Sequence, residues 1–363
     1  MAKRQAAASS SLLLIISLAI LIPPLADATV PAVFILGDST ADVGTNNHLP
    51  DSRARADFPY NGIDFPKSRA TGRFSNGFNS ADFLAKLMGF RRSPPPFLSL
   101  LKLSSGLQKR IFKGVNLASG GSGLLDITGQ TMKVVPLSEQ IRQFATIYNN
   151  FTAVMGPAAT ENMLSKSVFC ISVGSNDIFG YFLTKSSIPK EQFIATLINA
   201  YEIYIKNLFN LGARKFGIIS IPPIGCCPSQ RVFNATGGCL EDMNNFARAF
   251  HSALNTLLSN LSSELQGMKY SLGNAYEMTI NIIENPLPFK FKDVETACCG
   301  TGRLNAEGPC NSTANLCMNR QDHLFWDLYH PTQAASKLAA LTLYQGGPKF
   351  VSPINFAQLA ADN

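Results

Sequence analysis

The chain has 363 residues, of which 46% are hydrophobic and 15% charged, a composition too apolar for a disordered or fibrous protein and long enough to bury a large core. Its 31 Lys and Arg exceed its 24 Asp and Glu by a net +7, yet the basic residues are scattered and clusters such as Arg91-Arg92 are short. Nucleic-acid binding is therefore not implied, and the balance suits an ordinary solvated surface or weak attraction to an anionic polysaccharide.

In chain order, Lys3 and Arg4 precede a continuous apolar run from Leu12 to Ile22, and Ala26-Asp27-Ala28 offers small residues where a signal peptidase reads. The run is well short of the ~20 residues that span a bilayer, and Pro23-Pro24 closes it. The expectation is a signal peptide over 1–28, cleavage after Ala28, and a soluble, secreted protein with no transmembrane segment, residues 29–363 forming one domain. Short apolar runs at Val30–Leu36, Ile111–Leu117, Val168–Val173 and Phe216–Ile219 read as strands. Between them, helical periodicity covers Ser80–Met88, Leu137–Met155, Lys190–Leu211 and Leu240–Leu265. Strands that are apolar on both faces and alternate with helices describe an α/β fold, a three-layer α/β/α sandwich with a mainly parallel central sheet. Ligands of such sheets bind beyond the carboxyl ends of the strands. Four segments are placed for chemistry: Gly37-Asp38-Ser39-Thr40, Asn116 to Gly123, Gly174-Ser175-Asn176-Asp177, and Trp326 to Thr332.

Ser39 follows a buried strand through a small, flexible turn, which exposes a hydroxyl that needs a base to become a nucleophile. The histidines are His48, His251, His323 and His330. His251 lies within a helical stretch, whereas His330 follows Asp327 by three residues on a short loop. A carboxylate there can accept the Nδ1 proton of the imidazole and stabilise the cation formed when Nε2 takes the serine proton. The Asn176 side-chain amide can donate to a developing oxyanion in the same crevice, and the glycines after Asn116 let backbone N–H groups approach a ligand. Neither a GxxxxGK[ST] loop nor a GxGxxG opening a helix is present, which removes a phosphate-binding reading. His323, Asp327 and His330 are also spaced as three metal donors, but the residue before Pro331 is biased out of helix and convergence is not assured. No metal or cofactor is implied.

Secretion means oxidising conditions, so the eight cysteines read as bridges rather than metal ligands. The expectation is Cys226 with Cys239, pairing of Cys298, Cys299, Cys310 and Cys317 largely among themselves, and Cys170 as a buried free thiol. Sequons at Asn150, Asn234, Asn260 and Asn311 make those four asparagines candidate glycosylation sites.

Taken together, Phe34-x-x-Gly37-Asp38-Ser39, Asn116 to Gly123, Gly174-x-Asn176-Asp177 and Asp327-x-x-His330 resemble, in order, the sequence blocks of the GDSL or SGNH hydrolases. The stretches Asp42-Val43-Gly44-Thr45-Asn46-Asn47, Ala70 to Gly77, Ile221 to Cys226, Cys298-Cys299-Gly300 and Phe325-Trp326-Asp327 are similar to the plant GDSL esterase/lipases, and the resemblance covers nearly all of the chain after residue 28. It implies a flavodoxin-like fold in which Ser39 is the nucleophile, His330 the general base and acid, and Asp327 its orienting partner. It also implies an oxyanion hole made by the Ser39 N–H, a glycine N–H and the Asn176 side chain, the glycine being Gly123 or, alternatively, Gly121. Thr40 departs from the family, which has Leu there. The implied activity is a secreted esterase or lipase acting on small-molecule or lipid carboxyl esters through an acyl-enzyme, with anionic cell-wall polysaccharide as a weak partner. The alternatives are an acyltransferase using the same residues and a catalytically silent lipid- or wall-binding protein. Loss of hydrolysis as pH falls through about 6.5 is expected of an unperturbed imidazole base.

Overall fold

Strand β1 (Val33–Gly37) reads VFILG, has no polar side chain, and is buried at every position. Such a strand is stable only between two covering layers, and the computed structural model supplies both. The structure describes residues 30–101 and 110–362; the secretory segment expected over 1–28 lies outside the described residues. Beside β1 run β2 (Val168–Ser172), β3 (Lys215–Ile219) and β4 (Lys269–Gly273), all parallel, with Val33 opposite Val168, Val168 opposite Lys215 and Lys215 opposite Lys269. Val351–Ser352 closes the far edge, antiparallel to β4.

The helices that flank the sheet are α1 (Ser80–Leu87), α2 (Leu137–Met155), α3 (Ser175–Leu183), α4 (Lys190–Asn210), α5 (Glu241–Glu264), α6 (Ala275–Glu284), α7 (Gln333–Gln345) and α8 (Phe356–Ala361). Alternate residues of β1 enter different cores, as the period of two requires. Phe34 and Leu36 pack with Phe144 of α2, Tyr201 of α4 and Phe250 of α5. Val33 and Ile35 pack on the other face with Leu84 of α1, Leu343 of α7 and Phe356 of α8. The larger core is strongly aromatic: Phe34 stacks on Phe169 at 5.0 Å and meets the edge of Phe144 at the same separation. The three-layer α/β/α sandwich is therefore the observed fold.

The run Ile111–Leu117, expected as a strand, pairs with β1 only through Asn116 opposite Ile35, and Ile111–Lys113 is a 3₁₀ turn. Gly114 accounts for the interruption: at φ +98° it approaches β1 so closely that a Cβ would lie 1.9 Å from the Val33 carbonyl oxygen. The segment still docks, since Ile35 N–H donates to Val115 O at 3.0 Å and Leu117 N–H to Ile35 O at 2.7 Å. Its position on the outer side of β1 makes the chain reverse its direction of strand addition at β1, and a crevice opens at such a reversal. Strand β4 was not anticipated because Lys269 and Ser271 interrupt its apolar pattern.

A two-stranded sheet adds to the same core, to which Leu324 and Phe325 belong. Strand β5 (Asp293–Ala297) pairs with β6 (His323–Phe325), and the intervening loop carries the disulfides Cys298–Cys317 and Cys299–Cys310. Both bridges pack with the fully buried Trp326. Cys226–Cys239 closes a separate loop after β3, and Cys170 is a buried free thiol, each as expected. Cys227 is a second buried free thiol. Among the described residues no helix is long and apolar enough to cross a membrane.

Candidate active site

The chain leaves β1 through Gly37, whose φ is +141°, and a Cβ at this position would fall 2.0 Å from Ser172 O. Only glycine permits that approach, and it turns Asp38 and Ser39 to the top of the sheet. Gln140 of α2 fixes the turn with both ends of its buried amide, Oε1 accepting from Gly37 N–H at 2.9 Å and Nε2 donating to Gly37 O at 2.9 Å. Asp38 is buried and accepts from Thr40 N–H at 2.9 Å and from the Thr40 hydroxyl at 2.8 Å. The Ser172 hydroxyl in turn lies 2.9 Å from Thr40 Oγ1. Thr40, in place of the leucine of the resemblance, thus adds a second donor to the Asp38 carboxylate. Burial pushes Asp38 up to about 6, with the Thr40 bonds and His330 pulling against it.

The opposing wall is the loop Asp327–His330. Trp326 anchors its start: the indole Nε1–H donates to Asn61 Oδ1 at 2.9 Å, and Trp326 N–H donates to His330 O at 2.7 Å across the loop. Asp327 Oδ1 accepts from the backbone N–H groups of Tyr329 (2.9 Å) and His330 (2.8 Å), so one carboxylate both folds the loop and faces the ring. His330 Nδ1 lies 2.8 Å from Asp327 Oδ1 and 2.9 Å from Oδ2, and its Nε2 lies 2.8 Å from Ser39 Oγ. With the Nδ1 proton directed at the carboxylate, Nε2 is left to accept the serine proton. The Phe74 ring covers His330 at 5.0 Å. Burial pushes the imidazolium down, but the charge and hydrogen bond of Asp327, with Asp38 behind them, raise His330 above its ordinary value.

The remaining two segments meet at the same place. One N–H of Asn176 donates to Ser122 O at 2.9 Å, which holds the amide beside the glycine-rich turn. Buried Asp177 accepts from Leu124 N–H (2.8 Å), Leu125 N–H (3.0 Å) and Thr128 Oγ1 (2.7 Å), pinning that turn from below. Of its glycines, Gly120 commits its N–H to Asp42 Oδ2 at 2.9 Å, and Gly121 borders the cavity that holds Ser39. Gly123 packs against Asp177 and Thr128 instead.

Ser39, Gly121, Asn176, Asp327 and His330 all open onto one cavity of about 1860 Å³. Its inner walls are apolar and include Phe179, Phe182, Phe193, Ile224, Met243 and Ile282. His323 takes no part in the relay, since its Nδ1 lies 3.0 Å from both Asn319 O and Asp322 Oδ1. Both ring nitrogens of His330 already face Asp327 and Ser39, so His323, Asp327 and His330 do not converge as a ligand set. His251 is in α5 with its Nδ1 buried, and burial pushes its basicity down. The sequons divide by conformation: Asn150 and Asn260 lie within α2 and α5, whereas Asn234 and Asn311 sit in turns where Oδ1 accepts from the hydroxyls of Thr236 (2.9 Å) and Thr313 (2.8 Å). Gln140 was not singled out from sequence, although a polar residue in the apolar stripe Leu137, Ile141, Phe144, Ile147 of α2 is a signal that its amide has a buried task.

A serine hydroxyl, an imidazole and a carboxylate in one hydrogen-bonded line at the open end of a parallel sheet are an arrangement that can carry out nucleophilic acyl transfer. Residues 33–343 match the family model described as GDSL-like Lipase/Acylhydrolase. A GDSL esterase/lipase of Arabidopsis thaliana is 39% identical over 344 residues, spanning 92% of this chain and 91% of that protein. A second from the same plant is 34% identical over 347 residues, covering 93% and 92% respectively. GDSL esterase/lipase 6 of Arabidopsis thaliana is 33% identical over 364 residues and covers 98% of each chain. The chain belongs to the GDSL lipase/acylhydrolase family, and its activity is that of a carboxylic ester hydrolase.

Proposed function

We propose that the protein is a secreted esterase of acyl lipids in which Ser39 is the nucleophile, His330 the general base and acid, and Asp327 the residue that orients His330. The observation that carries this reading is the unbroken relay from Asp327 through His330 to Ser39, with 2.8 Å at each junction. Ser39 Oγ attacks the ester carbonyl as its proton passes to Nε2, and Asp327 stabilises the imidazolium so formed. The tetrahedral oxyanion is received by the Ser39 N–H, the Gly121 N–H and the second N–H of Asn176; Gly121 is preferred to Gly123 because it borders the cavity. His330 then gives its proton to the leaving alcohol, and water activated by the same nitrogen releases the acid from Ser39. The apolar inner walls favour an aliphatic acyl group over a polar one. The apolar amino terminus, three disulfides and the turn sequons at Asn234 and Asn311 support passage through an oxidising secretory pathway, with glycans at those two positions. The net charge of +7 favours weak, non-specific retention on anionic cell-wall polysaccharide.

The pH profile of kcat/KM tests the assignment of the base. Because His330 is raised, deprotonation to the active form completes only above the ordinary imidazole range. Hydrolysis of p-nitrophenyl esters should fall as pH drops, with an acid-limb midpoint above the ~6.5 of a free imidazole. A rate that stays level from pH 8 to pH 5 contradicts His330 as base.

A further inference from the structure

The mouth of the cavity differs from the rest of the surface. Among the described residues eleven large apolar side chains are exposed, and six of them, Phe58, Ile127, Leu183, Ile188, Phe233 and Tyr329, line this one cavity. They come from separate segments: the loop before Tyr60, the turn after Asp126, the end of α3 and the loop that follows it, the Cys226–Cys239 loop, and the Asp327–His330 loop. No single amphipathic element explains their meeting; what they share is the cavity onto which Ser39 also opens. Three are nearly bare, Leu183 at 85%, Phe233 at 76% and Ile127 at 74% exposure. Clustered exposed apolar side chains mark an interaction surface, while isolated ones do not.

Charge selects the partner. The exposed charged side chains on the cavity lining are Arg53, Lys185 and Glu307, two positive and one negative. An anionic bilayer or polyanion is captured by a basic cluster, which this rim lacks. An uncharged lipid–water interface asks only for apolar side chains that can dip below the polar surface, with lysine extending back to water. We infer that the rim formed by Ile127, Leu183, Ile188 and Phe233 docks the enzyme onto the surface of aggregated uncharged lipid ester, so that an acyl chain passes from the lipid phase into the cavity without crossing water. This rests on the proposed esterase reading for its consequence, although docking is a property of the rim alone.

The test compares the parent with the combined variant Ile127→Ser, Leu183→Ser, Phe233→Ser, which retains the Asn234 sequon so that any glycan there is common to both. In a Ser39→Ala background, flotation with phosphatidylcholine-coated trioleoylglycerol droplets should fall about tenfold or more in the rim variant, since three apolar side chains no longer enter the lipid. With Ser39 intact, hydrolysis of emulsified trioleoylglycerol should fall by a similar factor while that of dissolved p-nitrophenyl acetate stays within about twofold, because the rim lies outside the reacting groups. Equal flotation, a parallel loss on both substrates, or droplet binding only when phosphatidylserine is added overturns the inference. Absence of p-nitrophenyl acetate hydrolysis in the parent would instead count against the esterase reading, and the flotation result would stand by itself.

Discussion

Replacement of Ser39 by Ala is expected to lower kcat by about 10⁵- to 10⁶-fold while leaving KM for a p-nitrophenyl ester within a few-fold, the pattern of a lost nucleophile rather than lost binding. The side chain is half-buried, and the hydrogen bond to His330 Nε2 is the one it makes at the relay, so its removal leaves the sheet, the Gly37 turn and the cavity walls in place. Thermal unfolding of the variant should therefore match the parent. The size of the effect follows from the chemistry: without Oγ no acyl-enzyme forms, and what remains is water attacking an ester polarised by the oxyanion donors. Steady-state hydrolysis by purified protein measures it, and retention of even a tenth of the parent rate would remove Ser39 from the mechanism.

Asp327→Asn should cost nearly as much, about 10⁴-fold in kcat, for a different reason. Asparagine keeps an Oδ1 able to accept the Tyr329 and His330 N–H groups, so the loop keeps its shape. Its other terminal atom becomes an N–H donor where Oδ2 now lies 2.9 Å from His330 Nδ1. Oδ1 lies 2.8 Å from Nδ1 but already accepts from two backbone N–H groups, so the amide N–H competes for Nδ1; where Nδ1 accepts it, the ring proton moves to Nε2, which donates to Ser39 instead of accepting from it. The stabilising charge on the imidazolium is lost at the same time. Kinetics with a dissolved ester, accompanied by a melting curve close to the parent's, would separate this tautomer reversal from unfolding; a loss below tenfold would mean that Asp327 only folds the loop.

Much of this site was legible in the sequence because its chemistry is carried by short, ordered blocks beside apolar strands. The run Val33–Leu36 followed by Gly37-Asp38-Ser39 could hardly be read other than as a buried strand opening into an exposed turn, and Asp327 to His330 form a loop whose carboxylate needs the i+3 spacing to reach both backbone and ring. What escaped reading is whatever depends on tertiary approach. Gly114 breaks the Ile111–Leu117 strand because of a neighbour 81 residues away in the chain, and nothing in its local pattern announces Val33. Gly121 and Gly123 are chemically alike in sequence, and only their surroundings in the fold differ. The Gln140 amide on Gly37, the Ser172 hydroxyl beside Thr40, and the anchoring of Trp326 by Asn61 are likewise contacts between distant segments. The apolar rim is least visible of all, since Leu183 and Phe233 resemble core residues until the fold leaves them in solvent.

The central claim is that Ser39, activated by His330, forms the covalent acyl intermediate. A fluorophosphonate carrying an alkyl chain tests it most directly, because it traps an activated serine as a stable adduct. Intact mass spectrometry followed by peptide mapping should give one adduct per chain, located on Ser39, absent from Ser39→Ala and strongly slowed in His330→Ala. Modification of a different serine with matching loss of activity, or full activity after stoichiometric labelling of Ser39, would contradict the account.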